Sequence, residues 1–322
     1  MSDYTLKETQ TLEYKRPDVV KGYADQTLYI NLSDPQIEIK PVAEETKKTF
    51  TGGKGYDLWL LWNAVQPSTR WNDPENALCI AAGPLGGTPI YPGSGKSIVA
   101  TLSPTTGSVM DSNVGGYFGP YLKFSGFDAL EIQGKSLRDV VVFIDGVNQK
   151  IQLFETSGLP QNAYELSAIL TEHFAQGKPR NISVVSAGPG AKNTLIGCLN
   201  FTWYDPKRKR ARYKQAGRGG VGTVFADKGL KAVVACWNNV TADTNAPADK
   251  ARLKTVAKMH SREVVELDPK QNEMSKIGTT HLVTIMNDHD LLPTHNFRYG
   301  QHAQAPNLGQ KVYRLLFDPG FD

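Results

Sequence analysis

Residues 111–134 read DSNVGGYFGPYLKFSGFDALEIQG, and residues 214–237 read KQAGRGGVGTVFADKGLKAVVACW. Each holds a glycine pair suited to a tight turn, a connecting stretch, and a small-residue turn feeding an apolar strand. Landmarks upstream repeat as well: Ala82-Gly83-Pro84 answers Ala187-Gly188-Pro189, Gly115-Gly116 answers Gly219-Gly220, and Gly126 answers Gly229. The offset drifts by one residue per landmark, from 105 to 103. So slow a drift predicts duplication of a unit about one small domain long. The plainer alternative is that any two strand-turn-strand segments share glycines because tight turns demand them.

At 322 residues, 40% hydrophobic and 21% charged, the chain is long enough for two cores and too apolar for disorder. No apolar run reaches the ~20 residues needed to cross a bilayer, and the first residues lack the apolar centre of a secretory signal. The expected compartment is the cytoplasm. Cys79, Cys198 and Cys236 are far apart in strand-like contexts, which predicts reduced, buried thiols and no disulfide frame. No Cys-x-x-Cys pair supplies a zinc or iron–sulfur ligand set.

The net charge of +4 is modest but uneven. Residues 207–214, KRKRARYK, crowd cations just before the second glycine segment. Such a run is ordinarily a solvated loop. Its position beside a glycine turn, whose N–H groups can hold the same anion, also suits phosphate capture. A nucleic-acid patch fits least, since no binding motif accompanies it.

Hydrophobic alternation predicts strands over 27–32, 36–40, 78–82, 97–102, 129–133, 140–144, 182–186, 192–200 and 230–237, with helices over 56–62 and 163–175. The polar linker 238–249 leads to helical patterns over 248–266 and 274–288. The expected fold is α+β: a mixed domain with more strand than helix over 1–238, then the beginning of an α-helical domain over 239–322 that these residues do not complete. The last apolar groups, Leu315, Leu316, Phe317 and Phe321, have no evident partner in the sequence.

Two glycine cradles flanked by cations suit a ligand with two phosphates, or two phosphorylated copies of one ligand. Neither matches the nicotinamide fingerprint, and Gly93-Ser94-Gly95-Lys96-Ser97 lacks the first glycine of a nucleotide-binding P-loop. His281, His289 and His295 have spacings of eight and six that put no pair on the i, i+4 positions of one helical face, against a metal role.

The blocks NDPENALCIAAGPLGGT (72–88), SPTTGSVMDSNVGGYFGPYLKFSGFDALEIQGKS (103–136), AGRGGVGTVFADKGLKAVVA (216–235) and IGTTHLVTIMNDHDLLPTHNF (277–297) resemble, in order and spacing, the N-terminal part of the tungsten-containing aldehyde ferredoxin oxidoreductase family. That resemblance implies two sheets with pseudo-twofold symmetry, forming a base for a tungsten (or molybdenum) bis-pterin cofactor. It implies that the backbone carbonyls of Asn113 and Gln215 hold a magnesium ion bridging the pterin phosphates, for which hard oxygen donors are suited. Lys96 stands where the family has an arginine touching pterin and cluster; lysine keeps the charge and loses the planar fork. Gly115, Gly116, Lys214, Gly217, Arg218 and Gly219 complete the implied cofactor-binding set. Plainer readings make Asn113 a turn residue, Lys96 a surface lysine and Arg218 a solvated side chain.

The same resemblance places the cysteines of a 4Fe-4S cluster, the later pterin segments and the catalytic acid–base residues beyond Asp322. A truncation, a split into two subunits and a stop at a recoded cysteine position would look alike. The implied activity is oxidation of an aldehyde to a carboxylic acid, with electrons passing to ferredoxin or an electron-transfer subunit. The implied partners are the remainder of the enzyme or a cysteine-bearing chain, in an oligomer, with neither nucleic acid nor membrane. Alternatives are an aromatic thioester or acid reductase of the same family, and a non-catalytic half-subunit or interaction module.

Overall fold

The computed structural model describes residues 4–309, apart from 92, 239, 242, 272 and 273. They fall into two compact units that divide between residues 253 and 254. In the first unit β1 (Thr5–Glu13) precedes two successive passes through one plan. The first pass is β2 (Gln26–Asn31), β3 (Gln36–Pro41), α1 (Glu44–Phe50), α2 (Lys54–Ala64), β4 (Leu78–Ala81), β5 (Ser97–Leu102), β6 (Val109–Val114), α3 (Phe118–Phe124) and β7 (Ala129–Gln133). The second is β8 (Val140–Asp145), β9 (Lys150–Ser157), α4 (Ala163–Ala175), β10 (Ile182–Ala187), β11 (Leu199–Asp205), β12 (Arg210–Ala216), α5 (Val221–Asp227) and β13 (Leu230–Cys236).

The sheets run β3-β2-β7-β4-β5-β6 and β1-β9-β8-β13-β10-β11-β12. Without β1 the two orders are the same. In each, the opening strand pairs parallel with the closing strand, β2 with β7 and β8 with β13, and every other neighbour is antiparallel. The duplication is therefore one of topology. It also fixes how the halves meet: α3 packs on β10 and β11, α5 packs on β4 and β5, and the edge strands β6 and β12 abut. Contacts that repeat with the partners exchanged are the signature of a twofold relation.

The shared core lies between the sheets. Phe118 and Leu122 of α3 and Val221, Val224 and Phe225 of α5 join Val99, Val185, Leu199 and Phe201 there. Phe118 meets Phe201 edge-to-face with centroids 5.6 Å apart, a pairing favoured by the ring quadrupoles. On the outer faces α2 lays Tyr56 and Leu61 over Ala81 and Cys79, and α4 lays Leu166 and Leu170 over Val184 and Val234. Gly119 and Gly222, the second residues of α3 and α5, have matching roles. A Cβ on Gly119 would lie 2.3 Å from Ser97 Oγ, and one on Gly222 2.2 Å from the Cys198 carbonyl oxygen.

Several expectations are corrected. The stretch after each glycine pair is a short buried helix, because Phe118, Tyr121 and Leu122, like Val221, Val224 and Phe225, follow helical spacing too briefly to stand out. The strand expected over 192–200 begins only at Leu199; Pro189–Asn193 is a 3-10 turn. The edge strands β6 and β12 carry polar and charged residues, as edges do, and so escape an apolar pattern search. After the sheets α6 extends over Lys250–Gln271, beginning at the end of the first unit. The helix expected over 274–288 is broken at Gly278, whose φ is +62°, into α7 (Met274–Ile277) and α8 (His281–Asp288). The apolar groups from Leu315 to Phe321 lie outside the described residues. No helix among the described residues is long and apolar enough to cross a membrane.

Candidate functional site

The two edge strands place Asn113 and Gln215 at equivalent positions. On β6, Asn113 pairs with Ile98, the second residue of β5; on β12, Gln215 pairs with Asn200, the second residue of β11. Both are exposed. An edge strand leaves half of its carbonyls without a ladder partner, and these are available to a hard cation. The Gln215 side chain donates from Nε2 to Asn200 Oδ1 at 3.2 Å.

The glycine pairs are offset from this equivalence. Three residues, 115–117, join β6 to α3, whereas four, 217–220, join β12 to α5. Gly115 therefore answers Gly217, and Gly219-Gly220 sits farther on, at the helix entrance. Both of the latter have φ +68°, and a Cβ would lie 2.2 Å from Met110 Cγ at Gly219 and 2.2 Å from the Leu195 carbonyl oxygen at Gly220. This pair clamps the second repeat onto the first. The open positions are others: nothing lies within 4 Å of a Cβ on Gly217, and on Gly115 and Gly116 only Lys214 Cγ and the Thr202 carbonyl oxygen, each at 3.7 Å.

Lys96, Lys214 and Arg218 are carried to these loops by three separate segments: the turn before β5, the end of β12 and the 217–220 loop. Gly95 packs so closely on Gly116 that a Cβ would be 2.7 Å from the Gly116 carbonyl oxygen, which seats the Lys96 loop there. The Lys214 stem lies against Gly115, and the Arg218 N–H donates to Ser112 Oγ of β6 at 3.1 Å. All three cationic side chains are exposed, and none has a hydrogen-bond or ion-pair partner among the described residues. The rest of the 207–214 run serves the β11–β12 hairpin instead. Asp205 Oδ2 pairs with Arg208 at 2.9 Å and Arg212 at 3.7 Å, and Oδ1 accepts from the backbone of Lys207 and Arg208.

Lys123 has a part in this region that its residue type conceals. It is fully buried on α3 and donates from Nζ to the carbonyls of Gly83 and, at 3.2 Å, Gly86. It thereby braces the loop that runs from Ala82 to Lys96, and burial pushes its pKa down to about 8. The only sequence signal was a lysine within an otherwise apolar α3, in YLKF. The histidines have local roles: His281 Nδ1 lies 3.1 Å from the Gly278 carbonyl, and His295 packs on Tyr299. Among the described residues no three His, Cys, Asp or Glu side chains converge as metal ligands. Cys79 and Cys236 are buried thiols, the second pushed up to about 12 by burial; Cys198 is half-buried, not buried as expected.

A dianionic ligand with phosphate arms fits this arrangement. The open glycines would admit it to the backbone, and Lys96, Lys214 and Arg218, carried by the adjoining segments, would supply positive charge. Residues 27–236 match the family described as aldehyde ferredoxin oxidoreductase, N-terminal domain. The chain belongs to that family of oxidoreductases. It is 34% identical over 286 residues to a Pyrococcus horikoshii protein named tungsten-containing aldehyde ferredoxin oxidoreductase, covering 88% of this chain and 44% of that one. It is 28% identical over 261 residues to a Pyrococcus furiosus protein named aliphatic sulfonate oxidoreductase, WOR-like subunit, covering 76% and 39%. Among solved structures it is similar to the active site complex BamBC of benzoyl coenzyme A reductase with 1,5-dienoyl-CoA. The TM-score is 0.60 at 29% identity, over 68% of this chain and 31% of the other. The chain thus spans less than half the length of these family relatives.

Proposed function

We propose that this chain is the cofactor base of a tungsten (or molybdenum) bis-pterin oxidoreductase that converts aldehydes to carboxylic acids. Electrons would leave through a 4Fe-4S cluster to ferredoxin, with the cluster cysteines supplied by the remainder of the enzyme or by a partner chain, in a cytoplasmic oligomer. The supporting observation is the meeting of two equivalent edge strands at loops bearing Lys96, Lys214 and Arg218.

In this reading the carbonyls of Asn113 and Gln215 hold magnesium, and Gly115, Gly116 and Gly217 let phosphate approach backbone N–H groups. Lys96, Lys214 and Arg218 neutralise that phosphate, and Gly219 keeps the second loop against the first sheet. Lys123 holds the Lys96 loop in place. When bound, the cofactor supplies the two-electron chemistry at the carbonyl carbon. This chain's share is placement and charge compensation, and no residue in it is assigned to the chemical step. The likeness to the benzoyl coenzyme A reductase complex favours a second reading within the family, reduction of an aromatic thioester.

The test is to purify the assembly containing this chain and measure tungsten, molybdenum and pterin, then turnover of aldehydes against aromatic thioesters. Metal and pterin that fall together in a Lys214→Ala/Arg218→Ala variant support the base. Aldehyde turnover selects the first activity, and thioester reduction the second.

A further inference from the structure

The internal repeat supplies its own control for a second site, on the outer face of the first sheet and independent of the cofactor reading. The registers pair Thr27 with Ala129, Tyr29 with Glu131, Asn31 with Gln133, and Thr27 with Lys40. In the second repeat they pair Val141 with Ala232, Phe143 with Val234, Asp145 with Cys236, and Val141 with Phe154. Thr27, Tyr29, Lys40, Glu131 and Gln133 therefore occupy the positions of Val141, Phe143, Phe154, Val234 and Cys236.

In the second repeat those five side chains form a packed apolar core with Leu166, Leu170 and Phe174, and Phe143 stacks on Phe174 at 4.1 Å. In the first repeat the same positions floor a cleft of 540 Å³ beneath α1 and α2, walled by Trp59, Tyr56, Leu60 and Val42. That volume is in the range of small-molecule sites. Polar residues have replaced apolar ones where the fold needs only packing.

The floor is built around Glu131, which is 4% exposed. Its Oε1 accepts from Gln133 Nε2 at 2.8 Å, and its Oε2 is 3.7 Å from Lys40 Nζ. The Lys40 ammonium also sits 3.4 Å from the centre of the Tyr29 ring. Trp59 is held by stacking on Phe50 at 5.4 Å. A recessed carboxylate in a cleft that aromatic side chains line is the chemistry that recognises an organic cation. Lys40 fills that role internally; its side chain is 37% exposed, so it can withdraw to solvent along its flexible stem. Burial raises the Glu131 carboxyl above its ordinary range, consistent with a carboxylate that Lys40 compensates only in part.

We propose that this cleft binds a small amphipathic cation, an amine or amidine on an aromatic body, which takes the place of the Lys40 ammonium between Glu131 and Tyr29.

Calorimetric titration of the purified chain with benzylamine and tryptamine, beside the neutral benzyl alcohol and the anionic phenylacetate, tests this. The amines are expected to bind saturably and the other two not at all. Glu131→Gln is expected to weaken amine binding at least tenfold, and Lys40→Ala to tighten it several-fold by removing the internal competitor. Glu131→Val installs the residue the second repeat already packs, so it should fold and lose binding; its thermal melt controls for misfolding. Absence of saturable amine binding, equal binding of phenylacetate, or amine affinity unchanged in both Glu131 variants overturns the proposal.

Discussion

Asn113 and Gln215 hold the same place in two copies of one sheet: each is the penultimate residue of its edge strand, opposite the second residue of the strand before it. Because β6 and β12 abut, the twofold that relates the copies passes close to both. On the proposed function, a ligand with two similar halves would meet one carbonyl from each.

If those carbonyls do the holding, the side chains are dispensable. Asn113→Ala and Gln215→Ala are expected to leave metal and pterin content of the purified assembly within error of the parent. A large loss in either variant would move the role to the side chain.

The cations divide by position. Lys214→Ala/Arg218→Ala is expected to lower cofactor content severalfold, since the Lys214 stem lies against Gly115, Arg218 belongs to the 217–220 loop, and neither side chain has a partner among the described residues. Lys207→Ala/Lys209→Ala, at the tip of the β11–β12 hairpin, is expected to leave it unchanged. Metal analysis of the two double variants, side by side, separates a directed pair from a diffuse basic patch.

Gly119 and Gly222 give a prediction about stability. Overpacking of this kind costs roughly 1–3 kcal/mol, and both alanine variants should melt several degrees below the parent. Gly222→Ala should be the worse, because its Cβ meets the Cys198 backbone, whereas the Gly119 Cβ meets a serine hydroxyl. Adding Ser97→Ala should restore part of the loss in Gly119→Ala and none in Gly222→Ala.

Lys123 supplies a pH signature. Its pKa is lowered from 10.5 to about 8 in the folded chain. Between those values the unfolded state binds more protons, so this lysine's contribution to stability rises with pH through the window. It is fully present above the unfolded value and lost as pH falls through the folded one. The raised thiols of Cys79 and Cys236 act in the opposite sense above their ordinary pKa. The informative quantity is therefore the difference between parent and Lys123→Met in denaturant unfolding. Relative to the variant, the parent should gain stability from pH 8 to pH 10; a constant difference would contradict the buried-ammonium account.

The sequence made the centres of both sheets legible and left their edges obscure. β4 is an unbroken apolar run, and β7, β10 and β13, buried along nearly all their length, read as apolar runs interrupted only by Glu131 and Gln133, by Ser183 and Ser186, and by Lys231. β6 and β12 show polar residues to solvent and to each other, so no alternation announces them. The glycine landmarks revealed the duplication and misplaced one register, because Gly219-Gly220 is spent on contact with Met110 and Leu195 rather than on an open cradle. Lys123 and Glu131 were invisible for a related reason: a charged residue defaults to the surface, and only the completed sheets and helices show that these two are inside.

The most direct measurement is the metal and pterin content of the native assembly that contains this chain, determined by elemental analysis and pterin fluorescence on the same sample. Tungsten or molybdenum present in stoichiometric amount with pterin, and lost when Lys214 and Arg218 are both replaced, is the predicted result. An intact assembly with neither metal and no pterin would contradict the account.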